Sequence, residues 1–131
     1  MKIMEQNNIL KIYIVEDAPE RIEWFKKTFT DCELSIIDDV GKACEDLSSN
    51  RYDLIFLDRD LGHTKETGED VAWHMYNNKL AEDSLIVVHT MNTRGQRVIM
   101  RYLDKYHDNS HLIPFNELMK MKREDFKFAD K

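Results

Sequence analysis

Two cysteines stand in a chain of 131 residues, Cys32 and Cys44, twelve positions apart and outside any Cys-x-x-Cys pair. That scarcity leaves neither a disulfide framework nor thiolate zinc spacing, and the expectation is two reduced thiols buried as small hydrophobes in a cytosolic protein. Long apolar runs are missing too, since none approaches the roughly 18 residues that a membrane span needs. The opening MKIMEQNNILKIYIVED holds one short apolar run that contains Lys11 and leads into acids. It does not read as a signal peptide, so a soluble cytoplasmic protein with no membrane contact is expected. Positive charge is in deficit, with 19 basic against 25 acidic side chains and a net charge of −6. This balance disfavours general DNA binding, although a local basic patch could still hold a nucleic acid. No low-complexity stretch, repeat or linker divides the chain, so residues 1–131 are expected to form one domain with one core.

Five short runs rich in Ile, Leu and Val are present: 9–15, 34–37, 53–57, 85–88 and 112–115. Nearly continuous apolar runs of this length suit strands of a parallel sheet covered on both faces. Helical patterns lie between them. Ile22, Phe25 and Phe29 make one apolar face, with Pro19 tolerated in the opening turn. Asp39 can cap a second helix reaching Leu47, and Thr-Gly-Glu-Asp at 67–70 has the form of a capping box that starts a third helix burying Val71 and Met75. Residues 94–106 predict a fourth helix burying Val98, Tyr102 and Ile99, and 116–126 a fifth. The fold class is therefore α/β, a flavodoxin-like (βα)₅ doubly wound parallel sheet with strand order 2-1-3-4-5. Its ligand crevice lies beyond the carboxyl ends of strands 1 and 3.

That crevice selects among the polar residues. Strand 1 ends in Glu16 and Asp17, strand 3 in Asp58, Arg59 and Asp60, and strand 4 in His89, Thr90 and Asn92. Four carboxylates brought together require protonation or a neutralising cation. Oxygen ligands without zinc spacing favour a hard cation, so Glu16, Asp17, Asp58 and Asp60 are the candidate ligands of Mg2+ or Mn2+. His89 is either a satisfied core histidine or a group that donates to a phosphate and transfers a proton. Thr90 could hydrogen-bond a phosphate or simply end the strand. Asn92 could cap the fourth helix or bind ligand, and the helix start near Gly95 offers backbone N–H groups to an anion. His63 reaches the crevice only if its loop folds over, whereas His74, His107 and His111 read as surface or packing residues. The KMKR run at 120–123 reads as a solvated helix face, with RNA contact as the weaker alternative.

With these residues in place, the chain resembles a response-regulator receiver domain. The acidic pair Glu16–Asp17, Asp58 ending strand 3, Thr90 ending strand 4 and Pro114 in strand 5 carry that likeness. The resemblance implies a metal held by the acidic pair, Asp58 and the backbone carbonyl of Asp60, with Asp58 as phosphoryl acceptor. It departs at Ile113, where receivers carry a lysine, and at Ser110, where they commonly carry an aromatic residue. A narrower likeness is to the receiver-derived group that processes cyclic phosphates, whose pattern resembles LDxDLG, then TG, then H-[ST]-x-N and a glycine. Leu57, Asp58, Asp60, Leu61, Gly62, Thr67, Gly68, His89, Thr90, Asn92 and Gly95 match it. Arg59 stands where that group favours histidine, so at this position the chain can stabilise charge without acid–base chemistry.

Three functions follow as alternatives. The first is a metal-dependent phosphoesterase acting on cyclic nucleotides or RNA ends that bear a cyclic phosphate, with Asp58, His89 and Arg59 as catalytic residues and Thr90, Asn92 and Gly95 at the phosphate. The second is a signalling receiver phosphorylated on Asp58. The third is a receiver-like module that binds a protein partner without chemistry.

Overall fold

The apolar runs become strands because helices cover both of their faces. The computed structural model describes residues 9–62 and 65–126. Strands and helices alternate through β1 (Lys11–Val15), α1 (Pro19–Thr28), β2 (Glu33–Ile37), α2 (Val40–Ser49), β3 (Leu54–Leu57), α3 (Gly68–Asn78), β4 (Leu85–Val88), α4 (Thr93–Asp104), β5 (Ser110–Leu112) and α5 (Phe115–Leu118). The five strands pair in parallel in the order β2-β1-β3-β4-β5, the doubly wound order expected from the alternation. Side chains of successive strand residues point to opposite faces, which divides the core. Val15, Leu57 and Val88 pack with residues of α2, α3 and α4 on one side. Ile14, Phe56 and Val87 pack with Phe25, Phe29 and Leu118 of the α1 and α5 segments on the other. Each large apolar side chain fully removed from water in these layers contributes about 1.5–3 kcal/mol. Among the described residues, no helix is long and apolar enough to cross a membrane.

The local signals hold where side chain and backbone act together. Asp39 accepts the N–H of Lys42 at 2.8 Å and caps α2. Thr67 and Asp70 form the reciprocal capping box that starts α3, whose buried face includes Val71 and Met75.

Elsewhere the structure differs from the sequence pattern. β5 spans 110–112 instead of 112–115, and Pro114 caps α5 rather than lying in the strand. Pro114 has no N–H to give, while its neighbours extend the ladder: Ile113 donates to Val88 and Phe115 to His89, both at 2.9 Å. α4 buries Ile99 and Leu103, with Val98 and Tyr102 only half-buried on its flank. Tyr102 packs there against Tyr76 of α3, with ring centroids 5.9 Å apart. The fifth helix is one turn long. Past Met119 the bonds tighten to i→i+3, and Asp125 accepts the Lys122 N–H at 2.8 Å to start a separate 3-10 turn at Arg123–Asp125. The KMKR run therefore lies outside a continuous helix. Both cysteines are free and half-buried rather than buried, and burial pushes the Cys32 thiol up to about 11.

Candidate functional site

Strand register builds the site. Val15 is level with Leu57, and Leu57 with Val88. The next residues, Glu16, Asp58 and His89, therefore leave three adjacent strands in one row. Their backbone N–H groups continue the ladder, Asp58 to Val15 and His89 to Leu57, each at 3.1 Å. By the two-residue period they lie on the α1/α5 face, one step beyond Ile14, Phe56 and Val87. All three are buried, with exposures of 1%, 2% and 0%.

Their contacts are unequal. The Glu16 carboxylate accepts from the backbone N–H groups of Asp17 and Ala18 at 3.1 and 3.0 Å on one oxygen. Its other oxygen lies 2.6 Å from Nε2 of His89. Burial acts to raise the Glu16 pKa, but the His89 hydrogen bond and charge, the Ala18 N–H and Arg21 outweigh it and hold the carboxyl below its ordinary value. Asp58 goes the other way: burial, reinforced by the negative charge of Glu16, pushes it from 3.8 to about 6, against the opposing pull of His89, the Arg59 N–H and the Thr90 hydroxyl. One Asp58 oxygen accepts the Arg59 N–H at 2.8 Å, while the other faces the Arg21 guanidinium at 3.6 Å. Ligand atoms of Glu16, Asp58 and His89 all lie within 4.8 Å of one another, close enough to hold one metal ion.

His89 sits edge-on to Phe25 and Phe115, with centroids 5.4 and 6.3 Å away, and its Nδ1 is buried without a hydrogen-bond partner among the described residues. It is a core histidine by packing, and its Nε2 is held by Glu16 at the rim of the sheet.

The other candidates surround this row. Asp17 accepts the Gly62 N–H at 2.7 Å, which ties the loop after β3 to the end of β1. Arg59 points along the rim, donating to Glu69 and Asp60 at 2.8 Å each. Its guanidinium is already committed to two carboxylates. The exposed Asp60 side chain also lies 3.4 Å from the Asn92 amide nitrogen, so it is drawn toward α4. Asn92 takes the capping alternative, accepting the Gly95 N–H at 2.8 Å, so that N–H is not free for an anion. Thr90 is buried, and its hydroxyl accepts the Asn92 N–H at 3.2 Å. The two glycines serve close approach. A Cβ on Gly68 would stand 1.9 Å from the Asp58 carbonyl oxygen, and one on Gly95 would stand 2.6 Å from Arg59 Cγ. His63 lies outside the described residues. His107 is a packing residue, buried and bonded to the Ala81 carbonyl at 2.7 Å.

The sequence reading missed Arg21. It lies 3.7 Å from Glu16, 3.6 Å from Asp58 and 5.0 Å over the Phe115 ring. Its signal was its place four residues before Phe25, on the face of α1 that turns into the core. Arg21 supplies from α1 a cation that Ile113 cannot supply from the end of β5.

The donor set fits a divalent cation. Two buried carboxylates meet there, one of them pushed up in pKa by desolvation and by the other's charge, which is the condition a bound cation relieves.

Residues 10–105 match the family model described as the cyclic-phosphate processing receiver domain. None of the curated proteins matches the chain. Among solved structures, the Mn2+-bound form of the response regulator Rcp1 is 25% identical, with 92% of this chain and 94% of that one covered and a TM-score of 0.68. The phosphorylated cyanobacterial phytochrome response regulator RcpA is 20% identical over 92% of this chain and 93% of its own, also at 0.68. The response regulator TrrA from Thermotoga maritima, in complex with Mg2+ and BeF, is 21% identical over 86% and 95%, at 0.64. The sheet order, the acidic row at its rim and the match over most of its length agree: the chain belongs to the cyclic-phosphate processing receiver family.

Proposed function

We propose that this receiver domain carries out divalent-metal-dependent phosphate chemistry on the cyclic phosphates of nucleotides or RNA ends. The observation that carries the reading is the buried row Glu16–Asp58–His89 with Arg21 across it, because polar groups this desolvated and this poorly balanced are costly unless they serve a ligand. Asp58 and Asp17 would hold Mg2+ or Mn2+ directly, and Glu16 through water, since both Glu16 oxygens are already hydrogen-bonded. When bound, the ion would polarise a phosphodiester oxygen and offset its charge. In the metal-free protein burial raises the Asp58 carboxyl to about 6, and a bound ion would displace its proton and hold the carboxylate ionised. His89 fixes the orientation of Glu16, and Arg21 lies where it can neutralise a phosphate oxygen beside Asp58. Arg59 acts at one remove, binding Asp60 and Glu69 and so shaping the loop that leads from the site.

The test is a hydrolysis screen with 2′,3′- and 3′,5′-cyclic nucleotides and RNA ending in a cyclic phosphate, with and without Mg2+ or Mn2+. Turnover that requires metal and disappears in Asp58→Asn supports the reading. No turnover of any of them removes it.

A second reading, phosphorylation of Asp58 as in a signalling receiver, is favoured by one contact. Arg21, 3.6 Å from Asp58, could stand in for the lysine replaced by Ile113. Acetyl phosphate with Mg2+, followed by Phos-tag electrophoresis, separates the two. The cyclic-phosphate reading expects little shifted band, and a stoichiometric shift lost in Asp58→Asn would promote the signalling reading.

A further inference from the structure

Arginines at 94, 97 and 101 fall on one side of α4, because steps of three and four residues return to the same helix face. All three are exposed, and none forms an ion pair among the described residues. The face is unusual in its charge. No acid occurs from Thr93 to Leu103, in a chain whose net charge is −6. α4, like α2, places no acid in its first turn, and Arg94 stands there instead. A cation near a helix N-terminus opposes the helix dipole by about 0.3–1 kcal/mol, and unpaired arginines forgo the stabilisation of i,i+4 acid–base pairs. Arg101, in the last turn, complements the dipole, but three exposed arginines without an ion pair mark a surface shaped for something other than stability.

The stripe also begins at the site. Asn92, which caps α4, reaches Asp60 at 3.4 Å, and Gly95 lies against the Arg59 side chain. From Arg94 the row runs about 10 Å along the helix axis to Arg101, away from the acidic rim. Guanidinium groups match phosphate oxygens in a way that favours a polyphosphate strand as the occupant.

We propose that the Arg94–Arg97–Arg101 face binds the backbone of a single-stranded RNA whose terminal cyclic phosphate lies in the site. The proposal rests on the cyclic-phosphate reading and selects RNA ends over free cyclic mononucleotides. The experiment is fluorescence anisotropy of a short labelled oligouridylate ending in a 2′,3′-cyclic phosphate, titrated across a salt series. It compares the parent with the triple variant Arg94→Gln, Arg97→Gln, Arg101→Gln. Three phosphate contacts at about −0.7 each give a slope of log affinity against log salt of about −2. The triple variant should flatten that slope toward zero and lose at least tenfold in affinity at low salt, with melting temperature not lowered and Mn2+ affinity unchanged. An unchanged slope and affinity would overturn the proposal. So would poly-glutamate binding the parent more tightly than the RNA and losing its hold in the variant, which would assign the face to an acidic protein. If arginine-dependent RNA binding persists while no cyclic phosphate is turned over, the surface stands and the reading of the site falls.

Discussion

Replacing Asp58 by asparagine should stabilise the metal-free protein while abolishing its response to metal. The Asp58 carboxyl is 2% exposed and is pushed from 3.8 to about 6, first by burial and then by the charge of Glu16. A carboxyl whose folded pKa lies above its unfolded value binds protons more tightly in the fold. Its favourable contribution is complete below the ordinary pKa and is lost as pH rises toward about 6. Above that point the ionised group costs about 3 kcal/mol relative to a neutral one. Asparagine has nearly the same shape and keeps an oxygen for the Arg59 N–H, which Asp58 accepts at 2.8 Å. It loses the attraction to Arg21 at 3.6 Å, so the net gain should fall to about 1–3 kcal/mol at pH 7.5. For a domain of this size that is roughly 4–10 °C in melting temperature. In chelator the gain should shrink to about half at pH 5, where the native carboxyl is mostly protonated. Adding Mn2+ should raise the melting temperature of the parent and leave the variant where it was. A variant less stable than the parent at pH 7.5 in chelator, or a difference that ignores pH, would refute the reasoning.

Other outcomes follow from the same geometry. Mn2+ affinity measured by calorimetry should be flat above about pH 7 and fall roughly tenfold per pH unit below about 6, as protons compete for Asp58; equal affinity at pH 5 and 7.5 would take Asp58 out of the ligand set. His89→Gln should weaken Mn2+ binding by about 10–100-fold through Glu16 and also lower the melting temperature, because the imidazole is packed among aromatic rings. Unchanged metal affinity in that variant would leave His89 a core residue only. Gly68→Ala should cost about 3 kcal/mol in urea unfolding, since its Cβ meets the backbone of Asp58. Gly95→Ala should cost less than Gly68→Ala, because there the obstruction is a flexible Arg59 side chain; the reverse order would contradict the assigned packing.

Much of the architecture was legible from residue order alone. Alternating apolar runs and helical patterns determine a doubly wound sheet because each strand must be covered on both faces, and right-handed crossovers leave few other arrangements. Capping signals at Asp39 and Thr67 were legible for a related reason: donor and acceptor lie within a few residues of each other. The same topology placed Glu16, Asp58 and His89 at one rim. Their pairing was decided only in three dimensions. The His89–Glu16 bond joins residues 73 positions apart and depends on the register that levels Val15, Leu57 and Val88. Arg21 was hidden because a charged residue in a first helical turn reads as solvated until the helix is docked and Phe115 lies beneath it. Arg59 looked free to serve a phosphate, and tertiary structure gave it to Glu69 and Asp60. Val98 and Tyr102 shared the apolar period of α4 with Ile99 and Leu103, and docking chose the second pair for the core. Periodicity specifies that a helix has an inner face, but the angle at which that face meets the sheet is set by neighbours far away in sequence.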